Sequence, residues 1–487
     1  MVVIKMILLV DILLLNLPVH TCNGDLFVTS DFTRQPRLDD VYLPTIHLRS
    51  AYKTASLLIC IIDCKSYPGC LSVRYHVVRE ECHLLDACLM CNIGEMDIGW
   101  RHFCKDPAPV IIPDTGNGHI AFQASSDDRI PARGEVLIFD KILANLGHGY
   151  NSTSGIFSAP REGFFIFSWS QQSRRINTYT KAWLFVEGQQ KGKLHDKGGN
   201  VVTNFAMVHL KMRDQVYVCS YYKNSYVDTL SQFSGWIYEK PTDSCDINFH
   251  GTAVNRNNET IVYKSHTPPD EIHSRLTSGS NGTVVIMSLT TVNRGLFSNL
   301  RYVIDGVDVM TSVIDGWRSR DVAVTLIAVQ HIYGNSSIEV RNEKTHINSA
   351  GNTLTAVCIS KVPAFNVWAS DPEQATDRTV VFTKVLMNEG DMFNASDGTI
   401  HSQRKGLYFM TWTVHSFNNT TILSSLVVNG TPIRHLKMTS LPDHHTVSTS
   451  VAVHQLEEKD KVEIRIVEGE TGDLGVYFSG ILIAALD

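Results

Sequence analysis

Seven of the eleven cysteines fall in one short stretch, at Cys60, Cys64, Cys70, Cys82, Cys88, Cys91 and Cys104. Thiols at this density do one of two things: they bridge to one another where a small secreted segment lacks a large core, or they ligate zinc. Cys88-x2-Cys91 has the spacing of half a zinc site, but no second paired motif or nearby histidine pair completes a set of four ligands. Disulfide bonding is therefore the expectation for all seven, with the connectivity open. The count is odd, and Cys22, if retained, would make it even. Cys219 and Cys358 lie in strand-like text and read as buried thiols, unless one of them pairs with Cys245.

Catalytic signatures are absent. The chain has no G-x-S-x-G elbow, no H-E-x-x-H, no P-loop and no complete G-x-G-x-x-G, and Gly116-x-Gly118 reads as a flexible turn. His444 and His445 are adjacent, so their side chains diverge on a strand or turn, and a metal site is not expected there. Glu457 and Glu458 sit beside lysines in a polar turn. The expectation is a protein that is not an enzyme and uses no cofactor, with calcium dependence left open. Eight Asn-x-Ser/Thr sequons, at Asn151, Asn258, Asn281, Asn335, Asn394, Asn418, Asn419 and Asn429, offer N-glycosylation to a secreted chain.

The elements that position these groups are strands. Gly134 to Trp169 returns without a gap as Asp377 to Trp412: Asn145, Gly147, Asn151, Gly155, Gly163 and Trp169 fall on Asn388, Gly390, Asn394, Gly398, Gly406 and Trp412, each 243 residues on (388 − 145). A repeat of that length is a domain copied. In both copies the Asn loop is flanked by glycines and strand-like runs, which predicts an exposed loop at Asn151 and Asn394. Phe165, Phe167 and Trp169 share one strand face, and Phe164 and Ile166 the other, so this strand is expected to be apolar on both sides. Aromatic side chains could stack on sugars, but the two-faced pattern favours packing in a core or at a trimer interface.

Hairpin signals recur at Gly188, Gly306 and Gly430 and place a third, weaker copy between them. Its later strands fit, with SIEV matching QVYV and KVEI. Its front half does not: SHTPPDEIHSRL replaces the Asn-rich loop, and Ser288 lies near the position of the tryptophans. The expected organisation is a signal peptide over 1–24, a disulfide-rich module over 25–104, a linker over 105–118, and β domains over 119–239, 246–360 (degenerate) and 366–486.

Composition agrees with a globular, secreted chain. Of 487 residues, 43% are hydrophobic and 19% charged, and a net charge of −6 argues against a general binder of nucleic-acid phosphates. The opening MVVIKMILLVDILLLNL has the pattern of a signal peptide, and no later run is apolar enough to span a bilayer. An extracellular location is expected.

Two resemblances follow from these residues. Cys60-x3-Cys64-x5-Cys70, the strand with Tyr75, Cys82 before an apolar stretch, and Gly99 to Phe103 resemble the PAN/apple family of small disulfide modules. AFQAS, GEVLIFDK, the Asn145-x-Gly147 loop with Tyr150-Asn151, Gly155-x-Phe157, the strand Gly163 to Trp169 and the FSGW at Phe233 to Trp236 resemble the globular head of complement C1q. The last copy ends likewise in FSGI at Phe478 to Ile481. The resemblance implies an all-β chain of tandem jelly-roll sandwiches, the fold shared with the tumour necrosis factor family, preceded by a small α+β disulfide-rich module. It also assigns a set of signature core residues. In the first copy these are Phe139, Asn145, Gly155, Phe157, Gly163, Phe165, Phe167, Trp169, Phe233 and Gly235; in the last they are Phe382, Asn388, Gly398, Gly406, Tyr408, Trp412, Phe478 and Gly480.

The same resemblance implies secreted recognition modules that assemble about a three-fold axis. There is no Gly-X-Y stalk. With three heads in one chain, the implied assembly is either a homotrimer of chains or an intramolecular pseudo-trimer. The function expected is lectin-like, multivalent recognition of microbial surface polysaccharide in innate immunity, and the alternative is a signalling or matrix protein that binds an extracellular protein receptor.

Overall fold

A computed structural model describes residues 21–22, 25–26, 32–34, 39–42, 51–85, 95–105, 118–126, 134–172, 180–196, 200–221, 230–239, 246–257, 260–267, 269–273, 275–292, 297–315, 322–343, 352–359, 362–369, 377–440, 442–472 and 475–486. Cys22, Cys88, Cys91, Cys245 and Asn258, together with the signal-peptide and linker readings, rest on side chains or residues outside that set.

The N-terminal module is a five-stranded antiparallel sheet in the order Phe32–Arg34, Trp100–Lys105, Ser72–His76, Glu81–Leu85, Tyr52–Lys53. One helix, Leu57–Ser66, lies on it; its first turn is capped by the Ser56 side chain, which accepts the amide of Ile59. The disulfide Cys60–Cys82 ties the helix to the sheet, and Cys64–Cys70 closes the helix C-terminus. Phe32, Ile61, Val73, Tyr75, Leu84 and Phe103 pack around these bridges, so the cysteines reinforce a small core rather than replace one. The other sheet face buries Arg74, His76, His83 and His102 around Trp100, with the Arg74 guanidinium 4.6 Å above the indole.

Cys104, Cys219 and Cys358 are each disulfide-bonded, which corrects the reading of the last two as free buried thiols. Strand context misled there: β-branched neighbours mark a buried position but say nothing of what the sulfur meets.

The rest of the chain is built from three β units. The first has two five-stranded antiparallel sheets. Its inner sheet runs Lys141–Leu146, Ala121–Ser125, Gln232–Tyr238, Gly163–Gln172, Val201–Leu210, and its outer sheet Tyr150–Asn151, Ile156–Ser158, Gln215–Ser220, Thr180–Val186, Gln189–Asp196. The last unit repeats this order, with Lys384–Glu389, Ala364–Ala369, Val476–Ala485, Gly406–Phe417 and His445–Leu456 in its inner sheet. The middle unit keeps the neighbours but fuses the layers. Its strand Thr260–Thr267 pairs with Asn248–Asn257 on one side and at Thr260 with Ser337–Glu343 on the other, giving one ten-stranded sheet. The three hairpins turn through paired positive φ at Glu187-Gly188, Asp305-Gly306 and Asn429-Gly430, the geometry that matches strand twist in two-residue turns.

The two-faced strand divides its side chains between two cores. Phe165, Phe167 and Trp169 fill the first sandwich, while Ile166 enters a second cluster that also holds Val285 and Met287 of the middle unit and Leu407 and Phe409 of the last. All three inner sheets thus face one shared apolar centre, in which Trp236 and Phe409 lie 4.9 Å apart.

Each inner sheet ends in a strand with one unpaired edge: Val201–Leu210, Val322–Ile332 and His445–Leu456. A bare buried edge leaves amides and carbonyls unsatisfied. Here the units satisfy one another in a cycle. Thr203, Thr325 and Thr449 occupy equivalent registers, opposite Ser170, Leu289 and Thr413. The Thr203 hydroxyl donates to the Thr449 carbonyl at 3.3 Å, Thr449 to Thr325 at 2.6 Å, and Thr325 to Thr203, whose amide in turn donates to the Thr325 hydroxyl at 3.2 Å.

Two residues back along each strand, Val201, Ala323 and Val447 insert in the same rotational order into the cores of the last, first and middle units. Further contacts reinforce the seam between the first and last units: Gln232 Nε2 donates to the Val451 carbonyl at 2.7 Å, Gln123 accepts the Val453 amide, and Ser448 donates to the Val201 carbonyl at 2.7 Å.

The middle unit also repairs its lost tryptophan. Trp169 and Trp412 are fully buried and donate to the Ala182 carbonyl and the Ser424 hydroxyl. At Ser288 the volume is taken instead by Tyr302, which stands four residues before its hairpin glycine where the other units have Leu184 and Leu426. Its hydroxyl donates to the Leu326 carbonyl at 2.7 Å and can accept from the Ser288 hydroxyl, 2.8 Å away, and burial pushes its pKa well up.

Two outcomes follow. Thr325→Val leaves the Thr203 amide and carbonyl without their partner and should cost about 2 kcal/mol in denaturant unfolding of the full chain, with Thr325→Ser close to wild type; equal midpoints for all three proteins would mean the ring contributes nothing. Tyr302→Phe should cost about 1–2 kcal/mol. Ser288→Trp should cost more, because the pocket is already full, and adding Tyr302→Leu should recover part of that loss; strictly additive effects would refute the exchange of volume between the two positions.

Candidate functional site

The residues shared by the first and last units build the frame of the loops. Asn145 clamps its own hairpin: Nδ2 donates to the Tyr150 carbonyl at 2.9 Å and Oδ1 accepts the Tyr150 amide at 3.2 Å. Asn388 does the same to Phe393, at 3.2 and 2.9 Å. Gly155 and Gly398 follow with φ of +74° and +69°. A side chain at Gly155 would also strike the Leu137 carbonyl, 2.5 Å from where its Cβ would stand. Phe139, Phe157, Phe165, Phe167, Phe233, Phe382, Tyr408 and Phe478 are all buried. Gly235 and Gly480 make room for the rings of Phe167 and Phe365, and Gly163 and Gly406 lie against Ile237 and Leu482. None of these side chains presents chemistry to solvent.

Of the described sequons, Asn151 and Asn394 end short strands and the others lie on loops or turns. Asn281, Asn335, Asn394, Asn418, Asn419 and Asn429 are exposed, and Asn151 is half-buried. Asn151 and Asn394 each accept a backbone amide two residues on, from Thr153 and Ser396, at 2.9 and 3.0 Å. Asn429 Nδ2, the atom a glycan would take, donates to Asp460 at 2.7 Å. The remaining sequence candidates are ordinary surface. His444 bonds the Pro442 carbonyl, His445 stacks near Phe417, and Glu457 and Glu458 pair with Lys405 and Lys459. Among the described residues no three His, Cys, Asp or Glu side chains are placed to hold a metal ion.

Polar groups that differ between the units lie on the outward faces and at the loop ends. Glu339 in the middle unit and Glu463 in the last share one register, where the first unit has Tyr217 stacked on Phe185. Glu339 accepts from Arg275 at 2.6 Å and Arg341 at 2.8 Å; Glu463 accepts from Arg465 at 2.8 Å and pairs with Lys461 at 3.4 Å. Burial works to raise both carboxyls, but these cations outweigh it and hold them below the usual range.

Beside the Asn394 loop, Thr399 Oγ1 donates to Asp397 at 2.7 Å and meets His401 Nε2 at 3.1 Å. The equivalent first-unit residues, Ser154, Ile156 and Ser158, carry no such set. These clusters escaped the sequence reading, although Glu-x-Arg on two matched strands was visible in it. They can bind a polar ligand.

Against known proteins, the C1q domain model matches residues 121–238 and 364–483. A curated relative, the heavy metal-binding protein HIP of Mytilus edulis, is 31% identical over 129 residues, which is 24% of this chain and 60% of that protein. Among solved structures, the globular domain of zebrafish complement 1qA aligns at 23% identity over 26% of this chain and 99% of its own, with a TM-score of 0.22. The CBM22-1-CBM22-2 tandem domain of Paenibacillus barcinonensis Xyn10C aligns at 8% identity over 42% and 80%, with a TM-score of 0.15. No described helix is long and apolar enough to cross a membrane. The C1q domain model thus matches this chain twice, in its first and last β units.

Proposed function

We propose that the chain is a secreted, multivalent binding protein in which the middle unit is a third, diverged C1q-like head, so that one chain closes a pseudo-trimer by itself. The closed cycle of threonine bonds supports this reading, because it uses up the three sheet edges through which separate chains would otherwise associate. The heads span 119–239, 246–360 and 366–486, and a PAN/apple-like module over 25–104 precedes them.

The ligand class is microbial surface polysaccharide, bound through the loops and outward faces that the three heads do not share. Tethered weak sites gain effective concentration without new contacts, which suits repetitive surfaces. Binding to an extracellular protein receptor is the second reading, favoured by the Glu339 and Glu463 ion-pair faces, which suit a charged protein surface. The heavy metal-binding relative from Mytilus edulis adds heavy metals to the ligands to be tried.

The expected mass by light scattering is that of one chain, no more than 54.4 kDa before glycans, unchanged on dilution; three chains per particle would overturn the pseudo-trimer. Saturable binding of the full chain to lipopolysaccharide, peptidoglycan or β-glucan, competed by free sugar, is the result expected for the ligand class. Retention on host cells or matrix alone would overturn it in favour of a receptor.

A further inference from the structure

The three seams between the β units are chemically unequal. Register identifies the residue beneath each: Gln172 lies opposite Val201, Thr291 opposite Ala323 and His415 opposite Val447. Gln172 reaches across its seam, with Nε2 3.4 Å from the Lys437 carbonyl. His415 makes one bond within its own unit, Nδ1 to the Gly475 carbonyl at 3.3 Å, and its Nε2 is buried without a partner. It lies against Tyr477, ring centroids 6.0 Å apart. Tyr477 stacks on Trp368 at 5.7 Å, packs with Val447 into the middle unit's core, and reaches the backbone of Thr311 in that unit. The imidazole therefore sits directly behind the residues that close the last unit onto the middle one.

We propose that His415 makes this one seam acid-labile: a proton taken up at Nε2 opens the contact between the last and middle units and leaves the other two seams closed. The proposal rests on the three-unit arrangement and is independent of the ligand. The charged and titratable groups around the imidazole offer a proton no compensation. His445, on the neighbouring strand, repels it; Tyr477 is held neutral, its hydroxyl pushed up to about 12 by burial; and Asp308, across the seam, acts on Tyr477. Burial first, then the charge of His445, outweighs the bond to Gly475 and pushes His415 down to about 4, from 6.5 in the open chain. The open state thus binds the proton more readily, and closure is lost progressively as pH falls from 6.5 towards 4.

Hydrogen exchange of the full chain, corrected for intrinsic rates, tests this. Between pH 7.5 and 5, protection of Val307–Asp315 and Val476–Ala485 should fall about thirtyfold, as the two proton affinities require, while Gln232–Tyr238 keeps its protection. His415→Gln, the residue already used at the first unit's seam, should flatten that dependence. Tyr477→Phe keeps the imidazole and loses the link to Thr311, so it should be less protected at neutral pH yet retain the acid slope. A wild-type slope in His415→Gln, or protection that falls equally at all three seams, overturns the proposal. Absent protection of both segments at pH 7.5 overturns the three-unit arrangement together with it.

Discussion

The β units depend on one constraint, that a buried sheet edge must find partners for its backbone. Each inner sheet stops at a strand whose far side has no neighbour in its own unit, and that side faces the shared apolar centre. Water cannot serve there, so side chains must. Threonine suits the task because one hydroxyl can donate to a carbonyl and accept from an amide at once, as Thr325 does to Thr203. The hydrophobic centre and the hydrogen-bonded ring are thus mutually dependent: the first removes water from the edges, and the second makes that removal tolerable.

The same dependence explains why the units do not read as independent beads. Val201, Ala323 and Val447 each belong by sequence to one unit and by packing to the next. Cutting a unit out would expose its edge strand and remove an apolar residue from a neighbour's core, a loss on both sides. The cycle leaves unused the loop ends and the outward faces, where the units also differ, as at Tyr217, Glu339 and Glu463.

Much of this was legible in the residues, and the reasons are local. Alternation along Gly163 to Trp169 showed that both faces were apolar, and paired Asn-Gly, Asp-Gly and Glu-Gly signals located three hairpins, because turn geometry selects those residues directly. The frame asparagines were visible as a repeat, though not as clamps, since a side chain's partner five residues away leaves no periodic signal. What stayed hidden depends on contacts distant in sequence. Tyr302 compensating for Ser288 requires knowing which strands neighbour one another. The pairing of Cys60 with Cys82 and of Cys64 with Cys70 needs the helix placed on its sheet. The bonded state of Cys219 and Cys358 is equally invisible from their own strands.

The unequal seams have an evolutionary meaning. In a trimer of identical chains, every substitution at an interface is made three times at once, so a histidine behind one contact would stand behind all three. Here the three positions hold Gln172, Thr291 and His415, and the neighbouring contact surfaces differ as freely, with Trp368 and Tyr477 at one seam and Gln123 and Gln232 at another. Joining the units in one polypeptide releases each interface from the symmetry that identical chains would impose. A single mutation can then tune one joint while the other two keep the assembly intact.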